Sequence, residues 1–168
     1  MTLTLPTLKV CTGAGRTEPD ADASVRGTRR YSILYAEQAP LVADAVRETL
    51  EAEGFRVEVC ARGDEALRRL LSETRFDLLI LDFHLPGLDG LELARRARAL
   101  PRAVRTPIIM FTDCEVERDA RRAGVDAYLR KPRGVYSLAR TAARLLARDH
   151  ARSAREGPRA PPSSLRIE

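Results

Sequence analysis

The sequence has little of several residue types and segments, and each shortage excludes a class of protein. It contains no tryptophan, and no apolar run approaches the ~18 residues that span a membrane. Its three cysteines are odd in number and widely spaced, which favours neither a disulfide framework nor a zinc site. Residues 1–6 lack the basic segment of a secretory signal, and no long apolar core follows them. We therefore expect a reduced, cytoplasmic protein without a membrane partner.

Lysine is also scarce, with 2 residues against 27 arginines. Lys131 is the only lysine between residues 31 and 150. Because arginine fills the ordinary basic positions, a single lysine indicates a site that requires a compact ammonium rather than a planar guanidinium.

The net charge of +5 is carried by the two ends of the chain. Residues 1–30 contain five basic and three acidic side chains, residues 151–168 contain four and two, and the residues between them contain 20 and 19. Neither end combines basic residues with interleaved aromatics, so solvated basic tails are favoured over a nucleic-acid-binding arm. We predict a disordered extension at residues 1–30 and a basic, proline-containing tail at residues 149–168.

Between these ends, short apolar strands alternate five times with amphipathic helices. The strands are predicted near residues 32–36, 55–59, 78–81, 107–111 and 127–130. Regular alternation of this kind implies a doubly wound α/β fold with a parallel five-stranded sheet and right-handed crossovers. No glycine-rich phosphate loop follows the first strand, which argues against nucleotide binding. We predict one domain over residues 31–148.

Polar side chains follow four of these strands at their carboxyl ends. They are Glu37 with Gln38, Asp82, Thr112 and Lys131. In an open parallel sheet these ends line one crevice. Carboxylates from two strands suit Mg²⁺, an aspartate can become an aspartyl phosphate, and a hydroxyl and an ammonium can stabilise phosphoryl oxygens. Each residue alone has an ordinary explanation, whereas their combination predicts a site for phosphoryl transfer.

Five separated motifs contain these residues. They are the pair Glu37-Gln38 after the first strand, Leu-Asp-x-x-Leu-Pro-Gly-x-Asp-Gly at 81–90, Pro-Ile-Ile-Met-Phe-Thr at 107–112, Gly-x-Asp-Ala-Tyr-Leu at 124–129, and Lys131-Pro132. Together they resemble the receiver domain of bacterial two-component response regulators over residues 31–148. The resemblance implies a flavodoxin-like sheet of strand order 2-1-3-4-5 and a cis peptide bond between Lys131 and Pro132.

The resemblance also implies a role for each site residue. Asp82 matches the phospho-acceptor, and Lys131 matches the lysine that binds the phosphoryl group. Thr112 matches the switch hydroxyl and Tyr128 the switch aromatic, although plain packing would also explain a tyrosine there. The implied cofactor is Mg²⁺. Its implied ligands are Glu37, Gln38, Asp82 and the backbone carbonyl of His84.

The sequence departs from the family near this site. Gln38 replaces the expected carboxylate, so the site offers two negative charges rather than three and should bind Mg²⁺ weakly. Asp113 stands where the family usually has a small residue, and its charge crowds the phosphoryl approach. His84 is favoured as a bystander over a residue that tunes dephosphorylation. Residues 112–124 are about one helical turn short, which truncates the fourth helix.

Two functions remain open. The first is a stand-alone response regulator that accepts a phosphoryl group on Asp82 from a histidine kinase or phosphotransfer protein and signals to a separate downstream protein. The alternative, which Gln38 and Asp113 favour, is a pseudo-receiver that acts as an interaction scaffold without phosphorylation. About 20 residues follow the last predicted helix, so we expect no DNA-binding domain. In either case the domain is a signalling module and not a conventional enzyme.

Overall fold

The five predicted strands form one parallel sheet in the computed structural model, which describes residues 30–156. The strands are β1 (Ser32–Ala36), β2 (Arg56–Cys60), β3 (Leu78–Leu81), β4 (Ile108–Thr112) and β5 (Ala127–Arg130). Their order is β2-β1-β3-β4-β5, and every neighbouring pair is parallel. The predicted α/β class and strand order are therefore confirmed. Nearly all of the predicted disordered extension, and residues 157–168 of the predicted tail, lie outside the described residues.

In the described part of the chain, five helices follow the strands in turn. They are α1 (Pro40–Ala52), α2 (Gly63–Leu71), α3 (Gly90–Ala99), α4 (Glu117–Arg122) and α5 (Val135–Glu156). The six residues of α4 make it the shortest of them, as the sequence indicates. Within residues 30–156, no helix is both long and apolar enough to cross a membrane.

Helix α5 extends further than the sequence pattern predicts. It has 22 residues, and residues 149–156 belong to it although we assigned them to a tail. The apolar periodicity that marks a buried helix ends at Leu146. The following residues are mainly alanine, arginine and other helix-compatible types, and neither glycine nor proline interrupts them before Gly157. The boundary at 148 therefore reflects the end of the buried face and not the end of the helix.

The core consists of two apolar layers, one on each face of the sheet. Alternate residues of each strand point to opposite faces, so Leu34 belongs to the layer that contains residues of α2, α3 and α4, while Ile33 belongs to the layer that contains residues of α1 and α5. Strands β3 and β4 are buried along their whole length because helices cover both of their faces. This burial fixes the position of the residues that follow these two strands.

Carboxylates hold the amino-terminal ends of two strands. Oδ2 of Asp77 accepts a hydrogen bond of 2.8 Å from the backbone N–H of Ser32, the first residue of β1. Oδ2 of Asp126 accepts one of 2.8 Å from the backbone N–H of Ile108, the first residue of β4. These bonds satisfy backbone donors at the amino-terminal ends of the strands.

The guanidinium of Arg98 connects three segments at the same edge. It donates to the backbone carbonyls of Gly124 at 2.9 Å and Thr106 at 2.7 Å, and it contacts Oδ2 of Asp126 at 2.7 Å. Helix α3 is thereby joined to the segment before β4 and to the segment between α4 and β5.

Candidate functional site

Asp82 lies at the carboxyl end of β3, in the centre of the sheet. Its backbone N–H donates to the carbonyl of Ala36 at 2.9 Å, which continues the pairing of β3 with β1 by one residue. The residue is 5% exposed. Its Oδ1 accepts a hydrogen bond of 2.6 Å from the backbone N–H of Phe83, and its Oδ2 lies 3.1 Å from Nζ of Lys131. The carboxylate is thus held by both of its oxygens.

Gly90 allows the chain to pass close beneath this aspartate. A Cβ atom at Gly90 would lie 2.0 Å from the carbonyl oxygen of Asp82, which is far inside van der Waals contact. The backbone N–H of Gly90 also donates to the carbonyl of Phe83 at 3.0 Å. The start of α3 therefore packs directly against the backbone that carries the carboxylate.

Glu37 follows β1 and is more deeply buried, at 2% exposed. Its Oε1 accepts a hydrogen bond of 2.9 Å from the backbone N–H of Ala39. Its Oε2 accepts one of 3.2 Å from the hydroxyl of Tyr35 and one from Nζ of Lys131. Burial, and then the charge of Glu37, raise the pKa of Tyr35, which keeps the phenol protonated as a donor.

Lys131 places one ammonium between these two carboxylates. The residue directly follows β5, and its backbone N–H donates to the carbonyl of Thr112 at 2.9 Å. Its peptide bond to Pro132 is cis, as the resemblance implies. Because one cation faces two anions, this group of three side chains carries a net negative charge, and a cation is the ligand that it favours.

Thr112 ends β4 next to Asp82 in the sheet order and is fully buried. Its Oγ1 accepts a hydrogen bond of 3.3 Å from the backbone N–H of Cys114. The hydroxyl of Tyr128, in β5, donates to the backbone carbonyl of the same cysteine. Both predicted switch residues therefore contact the segment between β4 and α4 at one residue.

Gln38 and His84 lie at the surface, whereas Glu37 and Asp82 are buried. The rings of His84 and Phe83 pack in an edge-to-face arrangement, with centroids 4.9 Å apart. Asp113 is also exposed. The structure thus divides the predicted residues into a buried group, formed by Glu37, Asp82 and Thr112 with the partly buried Lys131, and an exposed group at the mouth of the site.

Cys114 also belongs to that mouth, although the sequence pattern does not predict it. Its Sγ lies 3.0 Å from Nε2 of His84 and 3.6 Å from Oδ1 of Asp113. Burial, and then the hydrogen bond to Asp113, raise the pKa of its thiol. No sequence motif marks the contact, because His84 and Cys114 are 30 residues apart and meet only through two loops.

The residues of the buried group fit a magnesium ion. Mg²⁺ takes hard oxygen ligands, usually one or two carboxylates with several waters. Glu37 and Asp82 provide the carboxylates, and their charge exceeds that of Lys131. The adjacent Gln38 carries a neutral amide in place of a third carboxylate.

An open parallel sheet of this order, with an aspartate, a threonine and a lysine at one edge, defines a flavodoxin-like signalling domain. The family model described as the response regulator receiver domain matches residues 33–142. The chain therefore belongs to this family, the receiver domains of two-component systems.

Curated relatives are longer than this chain. The phosphate regulon transcriptional regulatory protein PhoB of Rhizobium meliloti (strain 1021) is 46% identical over 103 residues, which cover 60% of this chain and 45% of that protein. The alkaline phosphatase synthesis transcriptional regulatory protein SphR of Synechococcus elongatus is 33% identical over 147 residues, which cover 81% of this chain and 54% of that protein. The chain thus spans about half the length of these regulators.

Solved structures support the same family. A CheY-like response regulator receiver domain protein from Methanospirillum hungatei is 28% identical, with a TM-score of 0.68 over 74% of this chain and 99% of that chain. The receiver domain of a sensor histidine kinase from Pseudomonas aeruginosa is 32% identical, with a TM-score of 0.61 over 70% of this chain and 98% of that chain. That structure has a magnesium ion coordinated in its active-site cleft.

Proposed function

We propose that this receiver domain accepts a phosphoryl group on Asp82 from a histidine kinase or phosphotransfer protein, and that it signals through contacts with a separate protein. The observation that carries the proposal is the position of Asp82, a buried carboxylate held 3.1 Å from the Lys131 ammonium at the carboxyl edge of the sheet. The membership of the receiver family, whose domains act in two-component signalling, supports it.

The chemistry uses the carboxylate as a nucleophile. One oxygen of Asp82 forms a bond to phosphorus, the phosphorus–nitrogen bond of a phosphohistidine breaks, and the electron pair of that bond stays on the imidazole nitrogen. Lys131 stabilises the charge of the phosphoryl oxygens, and the hydroxyl of Thr112 can donate a hydrogen bond to one of them. The domain is thereby a phospho-acceptor that at most promotes its own phosphorylation and dephosphorylation.

Magnesium, when bound, supplies positive charge that neutralises the phosphoryl oxygens. Glu37, Gln38, Asp82 and the backbone carbonyl of His84 would hold it. Lys131 already occupies one oxygen of each carboxylate, and Gln38 contributes no charge. We therefore propose that the ion binds weakly.

Thr112 and Tyr128 would pass the change on to the surface. A phosphoryl group that accepts a hydrogen bond from the Thr112 hydroxyl would draw this side chain towards Asp82 and away from the Cys114 N–H, and the carbonyl of Cys114 accepts from Tyr128. The segment between β4 and α4 can therefore have two arrangements with different partners. A ligand shifts such an equilibrium only by its difference in affinity for the two states.

The test is phosphorylation of the full chain by a small phosphodonor, with and without Mg²⁺, followed by intact mass. We expect one phosphoryl group per chain, more of it with Mg²⁺, and none on Asp82→Asn. Asp113→Asn is the matched control, because it removes a neighbouring exposed carboxylate. An unmodified wild-type chain, or equal modification of Asp82→Asn, would contradict the proposal.

The second candidate is a scaffold that acts without phosphorylation. The neutral Gln38 favours it, as does the engagement of Glu37 by three donors within the protein. A partner captured equally by the wild type and by Asp82→Asn, with and without phosphodonor, would establish this function. Binding that requires a phosphodonor and Asp82 would establish the first.

The proposed output surface comprises β5 and α5, because α4 has only six residues to offer. We propose that the phosphorylated protein does not form a tight homodimer alone and instead gains affinity for another protein. Sedimentation velocity with and without a stable phosphoryl mimic tests this. A tight dimer that forms only with the mimic would show that the short α4 does not limit self-association.

A further inference from the structure

The side chains of His84, Asp113 and Cys114 form a cluster at the mouth of the phosphoacceptor site. Among the described residues they are a group with three potential ligand atoms, the imidazole nitrogen, a carboxylate oxygen and the thiol sulfur, all within 4.8 Å of one another. The sulfur lies 3.0 Å from Nε2 of His84 and 3.6 Å from Oδ1 of Asp113. We propose that this cluster binds a divalent transition metal ion of the zinc class.

The distances suit such an ion. Typical Zn–S and Zn–N bonds in a tetrahedral site place the sulfur and nitrogen about 3.5 Å apart, and the sulfur and oxygen about 3.6 Å apart. The observed separations of 3.0 Å and 3.6 Å lie within about 0.5 Å of these values. Small rotations of these side chains, of which His84 and Asp113 are exposed and Cys114 is half-buried, would therefore complete three coordination positions, and water can fill the fourth.

The ligand types select the metal. A thiolate and an imidazole favour Zn²⁺ and similar transition metals, whereas Mg²⁺ prefers oxygen ligands alone. The buried carboxylates of Glu37 and Asp82 are not members of the cluster. The two kinds of ion would therefore occupy different positions, and binding of the zinc-class ion does not require phosphorylation of Asp82.

Binding forms a sulfur–metal bond, and the proton of the Cys114 thiol passes to solvent. No change of oxidation state is involved. The ion would join two loops, because His84 lies between β3 and α3 while Asp113 and Cys114 lie between β4 and α4. The second loop is the one that Thr112 and Tyr128 contact, so the ion would fix it in the arrangement seen here.

The absence of a zinc motif in the sequence is consistent with this site. The number and spacing of cysteines identify zinc sites whose ligands are close together in the sequence. Here the ligands come from two loops at the ends of neighbouring parallel strands, and only the pairing of β3 with β4 brings them together.

Co²⁺ provides the first measurement, because a thiolate ligand gives it a near-ultraviolet charge-transfer band. The full chain is titrated with Co²⁺ under a phosphine reductant and saturating Mg²⁺, and Zn²⁺ is then added. We expect one Co²⁺ per chain with the thiolate band, and loss of that band as Zn²⁺ displaces the probe. A spectrum without the band, or no competition by Zn²⁺, would overturn the proposal.

Variants identify the ligands. Cys114→Ser should abolish the band, and His84→Ala should weaken Zn²⁺ binding at least about tenfold. The matched controls are Cys60→Ala, Cys11→Ser and His150→Ala, which remove the other cysteines and the other histidine and should leave the affinity unchanged.

His84 is exposed, so its substitution tests the site even where Cys114→Ser fails to fold. Equal affinity in wild type and His84→Ala, or loss of the band in a control variant alone, would assign the metal to another position and overturn the proposal.

Discussion

The ammonium nitrogen of Lys131 lies 3.1 Å from Oδ2 of Asp82 and bonds at the same time to Glu37. One cation is thus shared by two carboxylates, whose side chains are 7% exposed in Asp82 and 1% exposed in Glu37. A single ammonium leaves part of the repulsion between the two carboxylates uncompensated. The site is therefore arranged for a further positive charge, and its stability should depend on that charge.

We expect Asp82→Asn to stabilise the protein when divalent cations are removed. The substitution eliminates the excess negative charge, Lys131 keeps its bond to Glu37, and the amide oxygen can still accept from the Phe83 N–H. The free energy of unfolding should rise by about 1 kcal/mol in urea with a chelator present. Saturating Mg²⁺ should reduce the difference, because the ion stabilises only the protein that binds it well.

The exposed Asp113→Asn serves as the control for this measurement and should change the unfolding free energy by less than about 0.5 kcal/mol. A less stable Asp82→Asn protein in the chelator would mean that Lys131 compensates both carboxylates fully.

We expect Lys131→Arg to fold normally and to lose most of its phosphorylation. The Lys131 side chain is 16% exposed and lies between two carboxylates, with Phe111 on another side, 5.3 Å from Nζ to the ring centroid. A planar guanidinium is larger and would occupy the space of a phosphoryl group. The rate with a small phosphodonor, followed by intact mass, should fall at least about tenfold.

The reverse exchange at the neighbouring exposed position, Arg133→Lys, is the matched control and should leave that rate unchanged. If Lys131→Arg were phosphorylated at the wild-type rate, the site would require only a positive charge at this position and not a lysine.

We expect Gln38→Asp to bind Mg²⁺ about tenfold more tightly than the wild type. Hard cations are held by ligand charge, and one additional carboxylate is worth on the order of 1–2 kcal/mol at such a site. Isothermal titration calorimetry measures the difference directly. Gln38→Ala separates charge from side-chain length and should bind no more tightly than the wild type. Equal affinity of Gln38→Asp and the wild type would show that residue 38 does not contact the ion.

We expect Gly90→Ala to destabilise the domain and to impair phosphorylation together. The added methyl group would lie 2.0 Å from the carbonyl oxygen of Asp82, which is backbone and can move only with the residue. Overpacking of this kind costs about 1–3 kcal/mol, and urea unfolding would measure it. Gly54→Ala is the control, because its strain comes from a φ of +88° with nothing within 4 Å. It should lose stability and keep the phosphorylation rate.

The sequence was sufficient to predict the buried group of the site. Asp82, Thr112 and Lys131 each directly follow or end an apolar strand, and parallel strands place their carboxyl ends at one edge. Their proximity is therefore a property of the sheet, which hydrophobic patterning specifies strongly. The roles given to these residues remain predictions.

The mouth of the site could not be predicted in the same way. The contact of His84 with Cys114 depends on the paths of two loops, and loops have no hydrophobic period from which a position can be read. The hydrogen bonds of Arg98 could not be predicted either, because no local sequence pattern distinguishes this arginine from the other 26. The final turns of α5 were not predicted, because their residues favour a helix but lack the apolar period that marks a buried helical face.

Arg98 and the carboxylates of Asp77 and Asp126 hold the amino-terminal ends of the strands. Local unfolding should therefore be harder at these ends than at the carboxyl ends. The amides of Ser32 and Ile108 are bonded to these carboxylates at the amino-terminal edge, so their hydrogen exchange should require unfolding of the whole domain. The amide of Cys114 lies in a loop at the carboxyl ends of the strands and bonds to the hydroxyl of Thr112, outside the sheet ladder, so it should exchange through small fluctuations. Events at the carboxyl edge can therefore alter loop motion while the remainder of the sheet stays closed.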